Sequence, residues 1–155
     1  MKIGLITIGQ TPRTDVTPTL REMLGKEAEF IEKGALDGLT KKEIEKLAPT
    51  KKDYVLVTRL KDGTPVKVAR RYIAPKIQKC LKELEEMGVS LNLLLCTGEF
   101  PSLKAEKPLL MPEALITNVM RCVKGGKIGV VVPEKEQIFH AKRKWRSKGI
   151  STIVV

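Results

Sequence analysis

Two hydrophobic periods alternate along the chain. Short, nearly unbroken β-prone runs mark strands buried on both faces, and longer stretches with an apolar residue every three or four positions mark helices. The first run is Lys2 to Ile8, with Ile3, Leu5, Ile6 and Ile8, bounded by Gly9. The polar loop Gly9-Gln10-Thr11-Pro12-Arg13-Thr14-Asp15 follows. Thr14 or Asp15 is placed to cap a helix to Leu24, with Pro18 in its first turn and Gly25 as its stop. Phe30 and Ile31 indicate a second strand, and Thr40 and Glu43 have capping-box spacing for a helix ending before Pro49. Asp53 to Leu60 and Pro65 to Val68 flank Asp62-Gly63, which predicts an antiparallel hairpin on a type I′ turn.

The clearest helix is Arg71 to Met87, where Ile73, Ile77, Cys80, Leu81, Leu84 and Met87 form one stripe and Gly88 follows as the stop. Leu91 to Leu95 is a buried strand ending in Cys96-Thr97-Gly98-Glu99-Phe100-Pro101. Pro112 opens a helix through Ile116 and Val119 to Val123, stopped by Gly125-Gly126. Lys127 to Val132 is a strand, Glu134 to Lys148 a basic helix, and Ile150 to Val155 a last strand. Strands separated by amphipathic helices predict an α/β fold: a mostly parallel sheet with helices on both faces, plus the one hairpin. Gly125-Gly126 is read as a boundary between an α/β domain, 1–125, and the βαβ start of an incomplete second one, 126–155. The last strand has no helix after it to cover one face, so association with a second copy is an expectation.

Composition narrows the classes. With 155 residues, 42% apolar and 30% charged, the chain suits an ordinary globular domain and not a disordered one. No apolar run approaches a membrane span or a signal-peptide core, so a cytoplasmic location is expected. Cys80, Cys96 and Cys122 offer neither a disulfide framework nor a metal-ligand spacing, and no cofactor is expected. The net charge of +11 raises nucleic acid as a partner, but it is uneven: residues 1–120 carry 20 Lys/Arg against 16 Asp/Glu, and residues 121–155 carry 9 against 2. On the basic helix Ile138, Ala141 and Trp145 fall at helical spacing, so Trp145 reads as core and the cations as a solvated face, which disfavours nucleic acid. His140 has no partner of ligand spacing and reads as a surface or rim residue. Elsewhere Lys and Glu interleave as on the exposed helices of many thermophile proteins.

Candidate chemistry gathers where parallel strands end, because loops converge there and backbone N–H groups face anions. The first strand delivers Thr7, Gly9, Gln10, Thr11 and Arg13 to such a rim, and the strand at 91–95 delivers Cys96, Thr97, Gly98 and Glu99. Arg13 suits a carboxylate or phosphate, with hydroxyls of Thr11 and Thr97 as donors. Cys80 and Cys122, beside apolar helix neighbours, read as core. Cys96 lies at a strand-to-loop transition, where amides and an arginine would lower its pKa toward use as base or nucleophile; a structural thiol is the other reading.

The segment from Lys2 to Val16, KIGLITIGQTPRTDV, followed by Leu93-Leu94-Leu95-Cys96-Thr97-Gly98-Glu99-Phe100 and Lys127-Ile128-Gly129-Val130-Val131-Val132-Pro133, resembles the AroM family. That family is similar in organisation to the aspartate/glutamate racemases, cofactor-independent enzymes of two pseudo-symmetric α/β domains with a small carboxylate between a cysteine from each. The resemblance implies that Cys96 is the first-domain cysteine, with Thr11, Arg13, Thr97 and Gly98 in the loops that meet the substrate. It also implies a second cysteine after a later strand, a place neither Cys80 nor Cys122 occupies. The expectation is a truncated or fragmentary chain with a carboxylate or anion site but no competent two-base racemase, since two bases must reach opposite faces of one carbon. A ligand-binding module without catalysis is the alternative.

Overall fold

The computed structural model describes residues 1–155. Its centre is a four-stranded, all-parallel sheet in the order β2-β1-β5-β6, built from β1 (Lys2–Thr7), β2 (Glu29–Gly34), β5 (Leu91–Leu94) and β6 (Leu109–Leu110). Ile3 to Thr7 are buried without alternation, as a central parallel strand requires. The two-residue edge strand β6 has no counterpart in the sequence reading, because so short a pairing leaves no periodic signal.

Between β1 and β2 runs α1 (Thr17–Leu24), and α2 (Lys41–Glu45) follows β2. Thr40 and Glu43 form the expected capping box, but α1 is not capped by Thr14 or Asp15: its N-cap is Val16, without a side-chain bond, because Asp15 turns to Arg13 instead. A separate antiparallel hairpin pairs β3 (Val55–Arg59) with β4 (Pro65–Ala69). Its turn is not type I′. That turn needs positive φ at both central residues, whereas Gly63 alone has it (φ 83°); the Gly63 N–H bonds the Leu60 carbonyl and the Leu60 N–H bonds the Thr64 carbonyl, a three-residue loop closed by glycine.

Helix α3 (Arg70–Glu86) lies against β1, β2 and β4, and its stripe of Ile73, Ile77, Cys80, Leu81 and Leu84 is buried as expected, whereas Met87 caps the helix in solvent. With Ile6, Leu36, Leu56, Val68, Leu94 and Phe100 this stripe forms the main core. After it come α4 (Pro112–Cys122), β7 (Ile128–Val130), α5 (Lys135–Ser147) and β8 (Thr152–Val154). The strands β7 and β8 pair in parallel as a sheet of their own, and α5 packs on β8 and on β3 of the hairpin. Trp145 is buried, as its spacing required, while Ile153 and Val155 stand exposed on the last strand and its end.

One expectation fails in α4. Cys122 is exposed, its thiol donating to the Asn118 carbonyl at 3.4 Å, and Leu115, Ile116, Val119 and Val123 are exposed beside it. The residues this helix buries are Glu113 and Thr117, because Glu113 is drawn inward by Lys144 of α5. No helix is long and apolar enough to cross a membrane.

Candidate functional site

β1 and β5 are parallel neighbours, so their carboxyl ends open on the same rim. The chain leaves β1 through Ile8 and Gly9 and passes under the hairpin so closely that a β-carbon on Gly9 would collide with the Arg59 carbonyl and the Thr58 hydroxyl; only glycine fits. From β5 the chain turns at Cys96, whose sulfur accepts the Gly98 N–H at 3.3 Å. Leu56 closes over Gly98 from the hairpin, where an added β-carbon would lie 2.9 Å from the Leu56 Cδ2.

A crevice of about 640 Å³ lies at this rim, and Arg13, Cys96 and Thr97 all line it, with Arg59 from the hairpin and Glu134 ahead of α5. A second cavity of about 290 Å³ adjoins it through Cys96 and Thr97 and runs between β3 and α5, past Gly98, Glu113, His140 and Lys144. The two loops therefore converge, and Arg13 and Cys96 line the same crevice.

Arg13 is held on every side. Its Nη1 donates to the Thr7 hydroxyl at 2.8 Å, and its Nε and Nη2 grip the Asp15 carboxylate at 2.7 and 2.8 Å; its backbone N–H donates to Glu32 at 2.7 Å. Asp15 raises the pKa of Arg13, and Arg13 in turn holds the Asp15 carboxyl below the usual range, with Arg59 adding to the effect. Lys144 approaches from α5: its ammonium pairs with Glu113 at 3.1 Å and donates to the Thr97 carbonyl at 3.4 Å, while the Thr117 hydroxyl donates to the same Glu113 oxygen at 3.1 Å.

The sulfur sits between opposing influences. Burial pushes the Cys96 thiol up; the Gly98 amide, Lys144 and Arg13 pull it down and do not overcome the loss of water. The lowering anticipated from neighbouring amides and arginine is present in kind but outweighed, so the resting thiol is protonated at neutral pH.

Other candidates lie apart from the crevice. The Gln10 amide donates to the carbonyls of Leu36 and Leu39 at 3.2 Å and accepts the Lys61 N–H at 3.2 Å, which ties the loop after β1 to the turn between β2 and α2 and to the hairpin loop. Thr11 gives both its N–H and its hydroxyl to the Asp37 carboxylate at 2.8 Å. Glu99 offers its carbonyl to Arg70 at 2.9 Å and does not line the crevice. Sequence reasoning passed over Asp15, Arg59, Glu113 and Lys144. In the sequence Asp15 stands as a candidate helix cap and Lys144 as one cation among several, and nothing in their spacing signals the pairs they make. No group of three or more His, Cys, Asp or Glu is placed to hold a metal ion; His140 stacks against Tyr54 with ring centroids 5.1 Å apart.

No curated protein matches the chain significantly. The family model described as AroM protein matches residues 3–155, and the chain belongs to the AroM family.

Proposed function

We propose that the crevice binds a small carboxylate, with Arg13 as the fork that receives it and Cys96 as the group that exchanges a proton with it, in chemistry related to the cysteine-dependent racemases and isomerases. One observation carries this reading: the Cys96 sulfur and the Arg13 guanidinium line one crevice at the carboxyl ends of β1 and β5. A planar guanidinium that presents two parallel N–H donors matches a carboxylate, and a thiol in the same crevice is a group that could meet the carbon next to it. Burial keeps the resting thiol protonated, so exchange runs through the minor thiolate: it first gives its proton to water, then takes one from the carbon, and after that proton trades with solvent the thiol returns one to the same face. A single sulfur serves one face of a carbon, which suits proton exchange at that carbon rather than inversion.

Two observations favour a second reading, a binding module without catalysis: the upward displacement of the thiol pKa and the prior occupation of Arg13 by Asp15. One set of measurements separates them. Malonate should slow alkylation of Cys96 by iodoacetamide and stabilise the fold, by about 2.7 kcal/mol at a hundred times its Kd. Arg13→Ala should abolish both effects. Incubation with small carboxylic acids in D2O should show exchange at the carbon beside the carboxylate that is lost in Cys96→Ala. Protection and stabilisation without any exchange would select the binding module, and neither effect from malonate would remove the carboxylate site.

A further inference from the structure

Two cations act on the Cys96 sulfur, Arg13 and Lys144, and each already carries a carboxylate of the protein's own. The pairs differ in kind. Glu113 and Lys144 are enclosed together, their side chains 9% and 10% exposed, and Thr117 fixes the shared oxygen. Opening such a pair leaves an uncompensated charge inside the protein. Asp15 is 45% exposed, stands on the loop before α1, and its carboxylate is held by two nitrogens of Arg13 and by no other side chain. Because its carboxylate already meets water, Asp15 can leave Arg13 without being stranded in the interior, which Glu113 cannot do. The Arg13 fork itself stays in place: it is 15% exposed and anchored through Nη1 on Thr7.

We propose that Asp15 is a stand-in for the ligand, occupying the Nε–Nη2 edge of Arg13 until a small carboxylate displaces it, and that it thereby sets the affinity of the crevice, while the Arg13 fork sets its preference for anions with two coplanar oxygens. This rests on the reading of the crevice as a carboxylate site. It says further which cation is the anchor: Arg13, whose partner can leave, and not Lys144, whose partner cannot. The displaced side chain has two places to go. The first-turn N–H groups of α1 have no side-chain cap, and Asp15 immediately precedes that N-cap. Arg59 lines the same crevice, its charge already acts on Asp15, and it makes no ion pair. The exchange trades one carboxylate for another on Arg13, so the guanidinium is never left unpaired.

The test uses the full chain and malonate as the probe, with Kd from calorimetry and Cys96 alkylation at fixed pH as a second readout. Asp15→Asn and Asp15→Ala should bind malonate about three- to tenfold more tightly than wild type. In the absence of malonate both should alkylate Cys96 faster, because the freed guanidinium favours the thiolate, and malonate should suppress the gain. In an Arg13→Lys background, which keeps the charge but loses the fork, Asp15→Asn should give no tightening. Unchanged malonate affinity in both Asp15 variants, with binding still lost in Arg13→Ala, would overturn the stand-in and leave the carboxylate site standing. Absence of malonate binding in wild type and Asp15 variants alike would overturn both.

Discussion

Three cysteines occupy three environments, and only one environment was plain in the sequence. Cys80 falls on the stripe of α3 and is buried there, with its thiol pushed up to about 11 by burial and by the nearby carboxylates of Glu83 and Asp37. Its folded pKa lies above its unfolded one, so its contribution to stability is complete below about pH 9 and is lost as pH rises through 11. Wild type should therefore lose about 2 kcal/mol relative to Cys80→Ala between pH 8 and 11, read from urea midpoints at each pH; parallel curves would show that the site is wetter than the packing implies. The apolar neighbours of Cys122 suggest a core position, yet it is exposed, since a pattern shows that a helix has an apolar face but not whether that face meets anything. Cys96 was placed correctly at the end of β5, but the direction of its pKa depends on how much water the hairpin and α5 exclude, and those lie far away in sequence.

At the scale of elements, the strands and helices were legible because their residues repeat at the right period, and the turns were legible only in part. The Asp62-Gly63 dipeptide located the hairpin, yet its backbone follows the twist of β3 and β4 and places positive φ at glycine alone. Gly9 was counted among ligand-binding residues; what the packing demands of it is the absence of a side chain where β1 passes beneath Arg59. Gly9→Ala should lower stability by about 1–3 kcal/mol, measured by urea denaturation, because both colliding atoms belong to the hairpin or its backbone. Thr40→Ala, which removes one half of the capping box on α2, should cost about 1 kcal/mol and leave malonate binding untouched. A neutral result for Gly9→Ala would mean that the hairpin is free to shift away from β1.

For the whole molecule, the decisive feature is how the last thirty or so residues meet the rest. Lys67 of β4 pairs with Glu134 at 2.8 Å and Glu136 at 3.1 Å, Gln137 donates to the Val55 carbonyl at 3.1 Å, and Lys144 crosses to Glu113 and Thr97. The enclosed Lys144–Glu113 pair couples that junction to the sulfur. Glu113→Gln should destabilise the fold by about 3–5 kcal/mol by leaving the ammonium buried without a partner, and it should also make Cys96 easier to ionise. The double variant Glu113→Leu/Lys144→Met should recover most of the stability, and its Cys96 should alkylate more slowly than that of wild type. Equal alkylation rates in all three proteins would show that Lys144 does not reach the thiol electrostatically.

The sequence by itself determined the order of strands and helices apart from the short edge strand β6, the parallel α/β class, the stripe of α3 and the location of two loops at the ends of β1 and β5. Each of these follows from local periodicity or from turn chemistry within a few residues. Tertiary structure alone decided that Arg13 is claimed by Asp15, that Glu113 and Lys144 meet, that Gln10 and Thr11 brace the loop of Asp37 instead of facing the crevice, and that the sulfur is kept protonated. Helical spacing does set the pairs Lys79–Glu83 and Lys82–Glu86 on α3, but pairing between elements and desolvation depend on distance through space, which spacing along the chain does not encode.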